Sequence, residues 1–415
     1  TCLCLFNYRL IVVKSIEKEK SVYDHLSLRG MRKIRGKICE IGYVNKIRDN
    51  IFDMKKDSLV PLYEALRSAH CVVCGGSGRS LYSLNAAMSQ IATMKDFKVI
   101  ITPDDPGFPG KDMYDAAGEL EKRYENILLL INSGSGESKD PKALAEELAR
   151  YIEDTGSKRF TMGLITSHPS SPIANIVRKY GEVIEIEGRA KEERPTEEYS
   201  ETGIMGDIFE LESLFVLHML TEVLFRNSTV EEGFELFEGE FRVLGEMIDF
   251  NVGSEAYDSL IDIMERRSDV FLGGKGTADE VVKMSVIRLA HIKKFLGDNV
   301  YIVRGVNTPR PRAGDLEILV SYSGETKSVV NWCNIFRDLR GVVFSVIGTK
   351  GSTLDKKSDY KIILEEKVRP GQPRRFYMRA AFVLSPLPVK LVERLREKGL
   401  ILPEYIIDWY HSLFG

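Results

Sequence analysis

The chain has 415 residues, more than one hydrophobic core of typical size encloses, so its length predicts two domains. Apolar residues make up 43% of it and charged residues 29%, as in a water-soluble globular protein, and no apolar run approaches the length that spans a bilayer. A net charge of −3 gives no general attraction for nucleic acid, although residues 369–375 form a local basic patch. Composition therefore favours a cytoplasmic protein that contacts neither nucleic acid nor membrane.

Six cysteines are few and irregularly spaced for a disulfide framework, which suits a reducing cytosol. Cys71 and Cys74 have the spacing of a redox pair, but they fall inside a predicted strand, whereas a thioredoxin-like pair would begin a helix. We interpret them as buried strand residues, with redox chemistry as the alternative.

Residues 1–58 are predicted to form an N-terminal extension and a first helix, the helical pattern covering 34–52. The first residues do not resemble a secretory signal, because charged residues follow the apolar part and no small-residue cleavage site is present. Met31 is a candidate start of the compact part. A second helix is predicted at 59–68, just before the first strand.

Residues 127–138 read Ile-Leu-Leu-Leu-Ile-Asn-Ser-Gly-Ser-Gly-Glu-Ser, an apolar strand that runs into hydroxyl residues and glycines, and Pro141 opens an amphipathic helix directly afterwards. Such a loop offers unpaired backbone N–H groups and the positive end of a helix dipole to an anion. Ser133, Ser135 and Ser138 add hydroxyl donors. The loop therefore predicts a phosphate site, with a serine-capped turn lacking any ligand as the alternative.

The same arrangement recurs at residues 316–327, where Ser321, Ser323 and Thr326 take the places of the three serines. Both copies follow a strand, share the pattern Ser-x-Ser-Gly-Glu-Ser/Thr and precede a helix. A repeat over this distance indicates a duplicated domain and not a short-period solenoid.

Each half also begins with a strand that ends in a glycine turn, Gly-Gly-Ser-Gly-Arg-Ser at 75–80 and Gly-Gly-Lys-Gly-Thr at 273–277. Ser77 and Ser80 in the first turn are further candidate phosphate contacts. Lys275 in the second could contact phosphate or only cover the turn. Neither turn is the Gly-x-Gly-x-x-Gly of dinucleotide-binding proteins, so no nicotinamide cofactor is predicted.

Alternation of strands and helices predicts an α/β fold: two tandem domains, each a parallel five-stranded sheet flanked by helices in a flavodoxin-like three-layer arrangement. The first domain is assigned to 59–228, a connecting helical segment to 229–258, the second domain to 259–368 and a proline-broken helical tail to 369–415. The first helix after the glycine turn is predicted at 81–94, and the tail is expected to pack across the other half.

With both halves laid out, the sequence resembles double sugar isomerase (SIS) domain proteins from about residue 59 to about 366. The resemblance rests on the first glycine turn, the two serine loops and a Ser-Ser-Pro-Ile-Ala helix start at 170–174. It implies two tandem SIS domains, a sugar-phosphate ligand on the serine and threonine loops, and no cofactor. The histidines and acids show no metal-ligand spacing, so no metal is predicted either.

Within that family the chain most resembles 6-phospho-3-hexuloisomerase, normally a single SIS domain that forms a tetramer. A Met-Gly-x-x-Phe-Glu segment matches residues 205–210 and implies a catalytic role for Glu210. An Arg-Leu-x-His segment matches residues 288–291 and implies one for His291. The alternatives are a glutamate that only favours the helix dipole and a hydrogen-bonded core histidine.

Each of these two residues is retained in only one half, since the corresponding stretches, 89–92 and 374–379, lack the histidine and the glutamate. We therefore expect one composite catalytic site per chain, formed by Glu210 and His291. Phosphate would most naturally bind the Ser321 loop, in the same half as His291, and the Ser133 loop would bind a second ligand or serve as structure. A homodimer would recreate the tetramer's four domains.

The resemblance implies an isomerase that moves the carbonyl of a hexose or hexulose 6-phosphate through an enediol, with a raised-pKa carboxylate for carbon proton transfer and a neutral histidine for the oxygens. The alternatives are a non-catalytic phosphosugar-binding regulator, a phosphoglucose or phosphomannose isomerase, and an amino-sugar phosphate isomerase or deaminase. The sugar itself is not fixed by any motif.

Overall fold

The computed structural model describes residues 37–94, 98–189, 199–204, 207–403 and 406. The described residues from Ile38 onward belong to one compact unit. The predicted extension up to residue 36, with Met31, lies outside the described residues, as do Met205 and Gly206 of the Met-Gly-x-x-Phe-Glu segment.

The first half opens with two helices and then alternates strands and helices around one parallel sheet. Its elements are α1 (Gly42–Asp53), α2 (Val60–Ser68), β1 (Cys71–Gly76), α3 (Arg79–Met88), β2 (Val99–Ile101), α4 (Met113–Glu121), β3 (Ile127–Asn132), α5 (Lys139–Thr155), β4 (Phe160–Thr166), α6 (Pro172–Val177), β5 (Gly181–Glu185) and α7 (Tyr199–Thr202). The strands lie in the order β2-β1-β3-β4-β5.

One long helix ends the first half, two more connect it to the second half, and the second half repeats the plan. These elements are α8 (Asp207–Arg226), α9 (Val230–Val252), α10 (Glu255–Glu265), β6 (Val270–Gly273), α11 (Thr277–Phe295), β7 (Val300–Ile302), β8 (Leu316–Ser321), α12 (Lys327–Asp338), β9 (Val342–Ile347), α13 (Thr353–Lys357), β10 (Tyr360–Ile363), α14 (Arg375–Leu384) and α15 (Pro386–Glu397). The second sheet has the order β10-β9-β8-β6-β7, which is that of the first sheet read from its other edge. Two parallel five-stranded sheets flanked by helices confirm the predicted fold.

The central strands form because their residues can be buried on both faces. Every residue of β3 and every residue of β8 is buried, as their uninterrupted aliphatic runs predicted. Cys71 and Cys74 lie buried in β1 as free thiols, and burial raises the pKa of Cys71 to about 12. These cysteines are therefore core residues, as the strand interpretation predicted.

Both glycine turns use a backbone conformation that other residues rarely adopt. Gly78 has φ of 54° and Gly276 has φ of 60°, and each directly precedes the helix of its half. The predicted helix at 81–94 is wrong at both ends: α3 begins at Arg79 and ends at Met88. Beyond it the chain tightens into a 3₁₀ turn at Ile91–Thr93, held by the hydroxyl of Thr93 on the carbonyl of Gln90 (2.7 Å).

The two halves meet along α3 and α11, which run in opposite directions. Near one end Ser89 bonds to Thr277 (2.9 Å), and one turn away Asn85 bonds to Glu280 (3.3 Å). At the other end the glycine turn at Gly78 lies beside the later part of α11. This crossing determines which groups of the second half reach the first half's loops.

The connecting and C-terminal helices complete a core shared by both halves. A capping box of Thr229 and Glu232 starts α9. The prediction did not include α10, whose start is capped by the hydroxyl of Ser254. Across the halves, Arg375 of α14 bonds to Glu222 of α8 (2.8 Å), so the tail packs against the first half as predicted.

Glu317 is an acidic residue in the buried strand β8. It is 0% exposed, and neither carboxyl oxygen has a hydrogen-bond partner among the described residues. Its neighbours in register are Phe271 and Val343. Burial raises the pKa of Glu317 well above its ordinary value of 4.5, because the charged carboxylate would lose its solvation inside the sheet.

Replacing Glu317 with Leu is expected to stabilise the protein, by roughly 2 kcal/mol near pH 5, because two unsatisfied oxygens leave the core. The unfolded chain releases the proton above about pH 4.5, while the folded chain retains it, so the native protein loses stability as pH rises. The gain from the substitution should therefore grow with pH. Urea unfolding at pH 5, 6 and 7 measures it, and a gain independent of pH would contradict this account.

Candidate functional site

At the carboxyl ends of the first half's strands, the glycine turn and the Ser133 loop lie side by side. Gly76 pairs with Asn132 in the register of β1 and β3. The buried side-chain amide of Asn132 donates to the carbonyl of Ser80 (2.8 Å) and contacts the hydroxyl of Ser213 on α8 (3.0 Å). Ser77 reaches Asp140 at the start of α5 (3.4 Å). Turn, loop and α8 thus form one connected platform.

The Ser133 loop has hydroxyl groups that its own fold does not use. Ser133 is 2% exposed, and its hydroxyl has no hydrogen-bond partner among the described residues. Ser138 is the N-cap of α5, yet its side chain makes no capping hydrogen bond. Gly136 has φ of 62° and packs against Ser171, so that no side chain fits there. A loop with an idle buried hydroxyl and an uncapped helix start is suited to an anion.

The Ser321 loop has the same backbone plan but more internal bonds. The hydroxyl of Ser321 accepts from the N–H of Gly324 (3.2 Å), and that of Ser323 accepts from the N–H of Glu325 (3.2 Å). Thr326 is the N-cap of α12, again without a side-chain cap. In the neighbouring turn the ammonium of Lys275 lies over the ring of Trp332, 5.1 Å from its centre.

Glu210 lies in a buried cluster of charges at the start of α8. It is 4% exposed, and its Oε2 lies 3.8 Å from Nη1 of Arg79, the arginine of the first glycine turn. The same Nη1 donates to Asp207, which is 2% exposed. Asp207 also accepts from the backbone N–H of Ile204 (2.8 Å), so it fixes the start of α8 and the guanidinium together.

His291 joins this cluster from the second half. Asp207 lies 3.7 Å from Nε of Arg288, which stands one turn before His291 on α11. Burial, Arg288 and Arg79 together lower the pKa of His291 to about 4, so the imidazole is neutral at pH 7. Glu210 and His291 are thus brought to one junction between the halves, next to the first half's turn and not beside the Ser321 loop.

Replacing Arg288 with Met is expected to raise the pKa of His291 above its value of about 4, because one of the two cations that disfavour the imidazolium is removed. The titration of the ring protons by two-dimensional NMR measures this. Arg178→Met, an exposed position on the first half, is the control and should leave the titration unchanged. An unchanged pKa in Arg288→Met would show that the two charges do not interact.

A cavity of about 10 Å³ lies beside the cluster, lined in part by Arg79, Asp207 and Arg288. A space of that size holds one water molecule and no sugar.

A second junction between the halves lies near the Ser321 loop and carries a different set of side chains. Gln90 of the first half donates to Nδ1 of the buried His218 (3.0 Å) and accepts from the N–H of Arg374 (2.6 Å). Arg374 stacks on Tyr322 of the Ser321 loop, 4.2 Å from the ring centre. Burial lowers the pKa of His218 to about 4.

Arginines and glutamates form a buried ion-pair network at this second junction. Arg379 binds Glu240 through Nε (2.6 Å), and Arg375 binds Glu240 (2.9 Å) and both oxygens of Glu222 (2.8 Å each). Glu240 is 2% exposed and Glu222 is 0% exposed. Residues 374–379, the stretch predicted to lack a catalytic glutamate, thus supply arginines that join α14 to α8 and α9 by ion pairs.

Sequence reasoning did not single out Arg79, Asp207 or Arg288, although all three occur in the motifs that carried the resemblance. Arg79 is in the glycine turn, and Asp207 and Arg288 flank the two candidate catalytic residues. The available signal was the presence of charged residues within apolar helical segments. A charged side chain is rarely buried unless it is paired, so such residues indicate a buried ion pair.

No family model matches the chain. A curated relative, the 3-hexulose-6-phosphate isomerase of Bacillus subtilis, is 31% identical over 123 residues, which is 30% of this chain and 62% of the relative. The first curated relatives are matched over 53–63% of their own lengths.

Solved structures match most of the chain. A Clostridium novyi protein provisionally named tagatose-6-phosphate ketose/aldose isomerase superposes with a TM-score of 0.60 and 13% identity, covering 89% of each chain. The tagatose-6-phosphate ketose/aldose isomerase of Escherichia coli superposes with a TM-score of 0.53 and 12% identity, covering 88% of this chain and 96% of that one. The likeness shows the fold, which is that of tandem SIS domains. Both halves of this chain carry the serine loop, and Glu210 and His291 both interact with Arg79 of the first glycine turn.

Proposed function

We propose that this protein, which has the fold of tandem SIS domains, is a phosphosugar isomerase that moves the carbonyl of a hexose or hexulose 6-phosphate through an enediol. The observation that carries the proposal is the convergence of Glu210 and His291, from different halves, on one buried charged cluster. Relatives named 3-hexulose-6-phosphate isomerase and solved neighbours named as sugar-phosphate isomerases support the class of reaction.

In this proposal Glu210 removes the proton from the carbon next to the carbonyl and returns it to the neighbouring carbon. Its Oε2 accepts no hydrogen bond from the described residues, so a lone pair is available for a proton. His291 is neutral at pH 7, so it can pass protons between the two oxygens of the enediol. Arg79 and Arg288 would offset the negative charge that develops on those oxygens.

We assign the phosphate to the Ser133 loop, although the sequence favoured the Ser321 loop because it lies in the same half as His291. The crossing of α3 and α11 brings His291 beside the first half's turn, next to which the Ser133 loop lies. The idle hydroxyl of Ser133 supports the same assignment, since the hydroxyl of Ser321 accepts from the N–H of Gly324.

Ser133→Ala combined with Ser138→Ala is expected to raise KM for the sugar phosphate about tenfold or more, because two donors to the phosphate are lost. Ser321→Ala combined with Thr326→Ala, the matched pair in the other loop, should leave KM within about twofold. Steady-state kinetics of the native protein and the two double variants on one sugar phosphate measures both. The reverse pattern would move the phosphate to the Ser321 loop.

A phosphosugar-binding regulator is the second candidate. What favours it is the 4% exposure of Glu210 and the small size, about 10 Å³, of the cavity lined in part by Arg79 and Asp207. The two candidates differ in turnover, since both bind a sugar phosphate but only the isomerase interconverts it.

The test is a panel of hexose and hexulose 6-phosphates, including glucosamine 6-phosphate, followed by ¹³C NMR with purified protein. Interconversion of a ketose with its isomer at a rate proportional to enzyme concentration supports the isomerase, and ammonia release from the amino sugar would instead support a deaminase. Binding of a sugar phosphate without turnover of any panel member would replace the proposal with the regulator.

We also propose that the chain forms a homodimer, which would bring together four SIS folds. Multi-angle light scattering of the purified protein should give about twice the chain's mass of 47.0 kDa. A monomer at micromolar concentration would contradict this part of the proposal.

A further inference from the structure

A cleft of about 360 Å³ opens where the end of α8 meets the segment between β10 and α14. It is lined by Phe225, Arg226, Lys367, Val368, Arg369 and Gln372. No residue of the serine loops, of the glycine turns or of the Glu210 cluster belongs to this lining. The cleft is therefore a separate feature of the molecule.

The cleft is bordered by an excess of positive charge. Arg226 donates twice to Oε1 of Glu222 (3.0 and 2.7 Å), and Arg375 donates to the same oxygen (2.8 Å). With Arg379, three arginines share the two buried carboxylates of Glu222 and Glu240. Glu366 is a further acid that interacts with Arg375 and Arg379, and Arg226 is the arginine of this network that reaches the cleft.

Lys367 and Arg369 add two more positive charges. Both are exposed, and neither side chain forms an ion pair with a described carboxylate. The described lining of the cleft contains no acidic residue. Arg226 already pairs with Glu222, so the charges of Lys367 and Arg369 are the ones that an added anion would neutralise.

The backbone of this segment is held in place, so the cations are presented on a fixed turn. The side chain of Gln372 accepts from the N–H of Arg369 (3.1 Å), and the N–H of Gln372 donates to the carbonyl of Arg369 (3.0 Å). Gly371 has φ of 78° and packs against Thr93 and Phe225. Phe225 and Val368 supply an apolar surface beside the charges.

We infer that this cleft binds a small phosphorylated molecule, with its phosphate among Arg226, Lys367 and Arg369 and its carbon skeleton against Phe225 and Val368. A compact group with two negative charges matches three converging cations, and guanidinium groups bind phosphate oxygens in pairs. The volume lies within the range of small-molecule sites. The site is independent of the proposed isomerase centre.

Calorimetric titration with inorganic pyrophosphate at low ionic strength tests the inference. The variant Lys367→Glu/Arg369→Glu should lose one binding event, with an affinity at least about tenfold weaker at that site. Lys158→Glu/Lys179→Glu, two exposed positions on the first half with the same change in net charge, should bind like the native protein. Equal titrations for the native protein and the Lys367 variant would overturn the inference.

Lysine acylation followed by mass spectrometry locates the bound anion. Pyrophosphate should protect Lys367 from acylation by several-fold and leave Lys158 unchanged, whereas binding without protection of Lys367 would place the anion elsewhere and overturn the inference. A titration with fructose 6-phosphate tests the role of Phe225 and Val368, because the sugar phosphate should bind at this site more tightly than inorganic phosphate. The Lys367 variant should keep the native rate of sugar-phosphate turnover, so failure of this site and failure of the proposed isomerase are distinguishable.

Discussion

Glu210→Gln is expected to lower kcat for sugar-phosphate isomerisation by roughly 10³-fold, because the amide cannot accept the proton from carbon. The substitution keeps the size of the side chain and leaves Arg79 and Asp207 in contact, so the fold and KM should change little. Steady-state rates and circular dichroism of the native and variant proteins measure both effects.

Glu212→Gln is the matched control on the same helix. Glu212 is 1% exposed, and burial raises its pKa to about 8, so its carboxyl is already largely neutral at pH 7 and an amide resembles it. Turnover should stay within about twofold of the native rate. If Glu210→Gln kept full activity, or if Glu212→Gln lost as much as Glu210→Gln, the assigned base would be wrong.

Glu240→Gln is expected to destabilise the folded protein by roughly 3–5 kcal/mol, because Arg375 and Arg379 lose the carboxylate that neutralises them in a buried site. Burial alone would raise the pKa of Glu240, but the two arginines hold it below its ordinary value. Its contribution to stability is therefore present above the unfolded pKa and is lost as pH falls through the folded pKa.

Urea unfolding at pH 7 measures the loss, and Glu246→Gln is the control because it is exposed on the same helix. The control should change the free energy of unfolding by less than about 0.5 kcal/mol. A loss equally small in Glu240→Gln would mean that the ion-pair network does not hold α9 and α14 together.

The fold could be predicted because its signals are local. The aliphatic run of β3 and the serine loop after it recur in β8, and a buried parallel strand followed by a helix has few other interpretations. The start of α10 had a local signal too, the N-cap Ser254, but the segment was interpreted as a connection. The predicted helix at 81–94 runs past the observed end of α3 at Met88, because no proline or glycine marks that end.

The arrangement of the site could be predicted only in part. Local motifs pointed to Glu210 and His291, but which serine loop lies near them depends on the antiparallel crossing of α3 and α11, a contact between distant parts of the chain. The roles of Asp207 and the ion pairs around Glu240 likewise arise from residues far apart in sequence. No pattern within one helix contains that information.

The central claim is that one junction between the halves performs enediol chemistry, and hydrogen exchange in D₂O tests it most directly. The native protein is incubated with fructose 6-phosphate, and NMR follows deuterium entry at the carbons beside the carbonyl, with Glu210→Gln alongside. We expect deuterium at one of these carbons with the native protein and none with the variant. Equal exchange in both proteins, or none in either while fructose 6-phosphate remains bound, would contradict the claim.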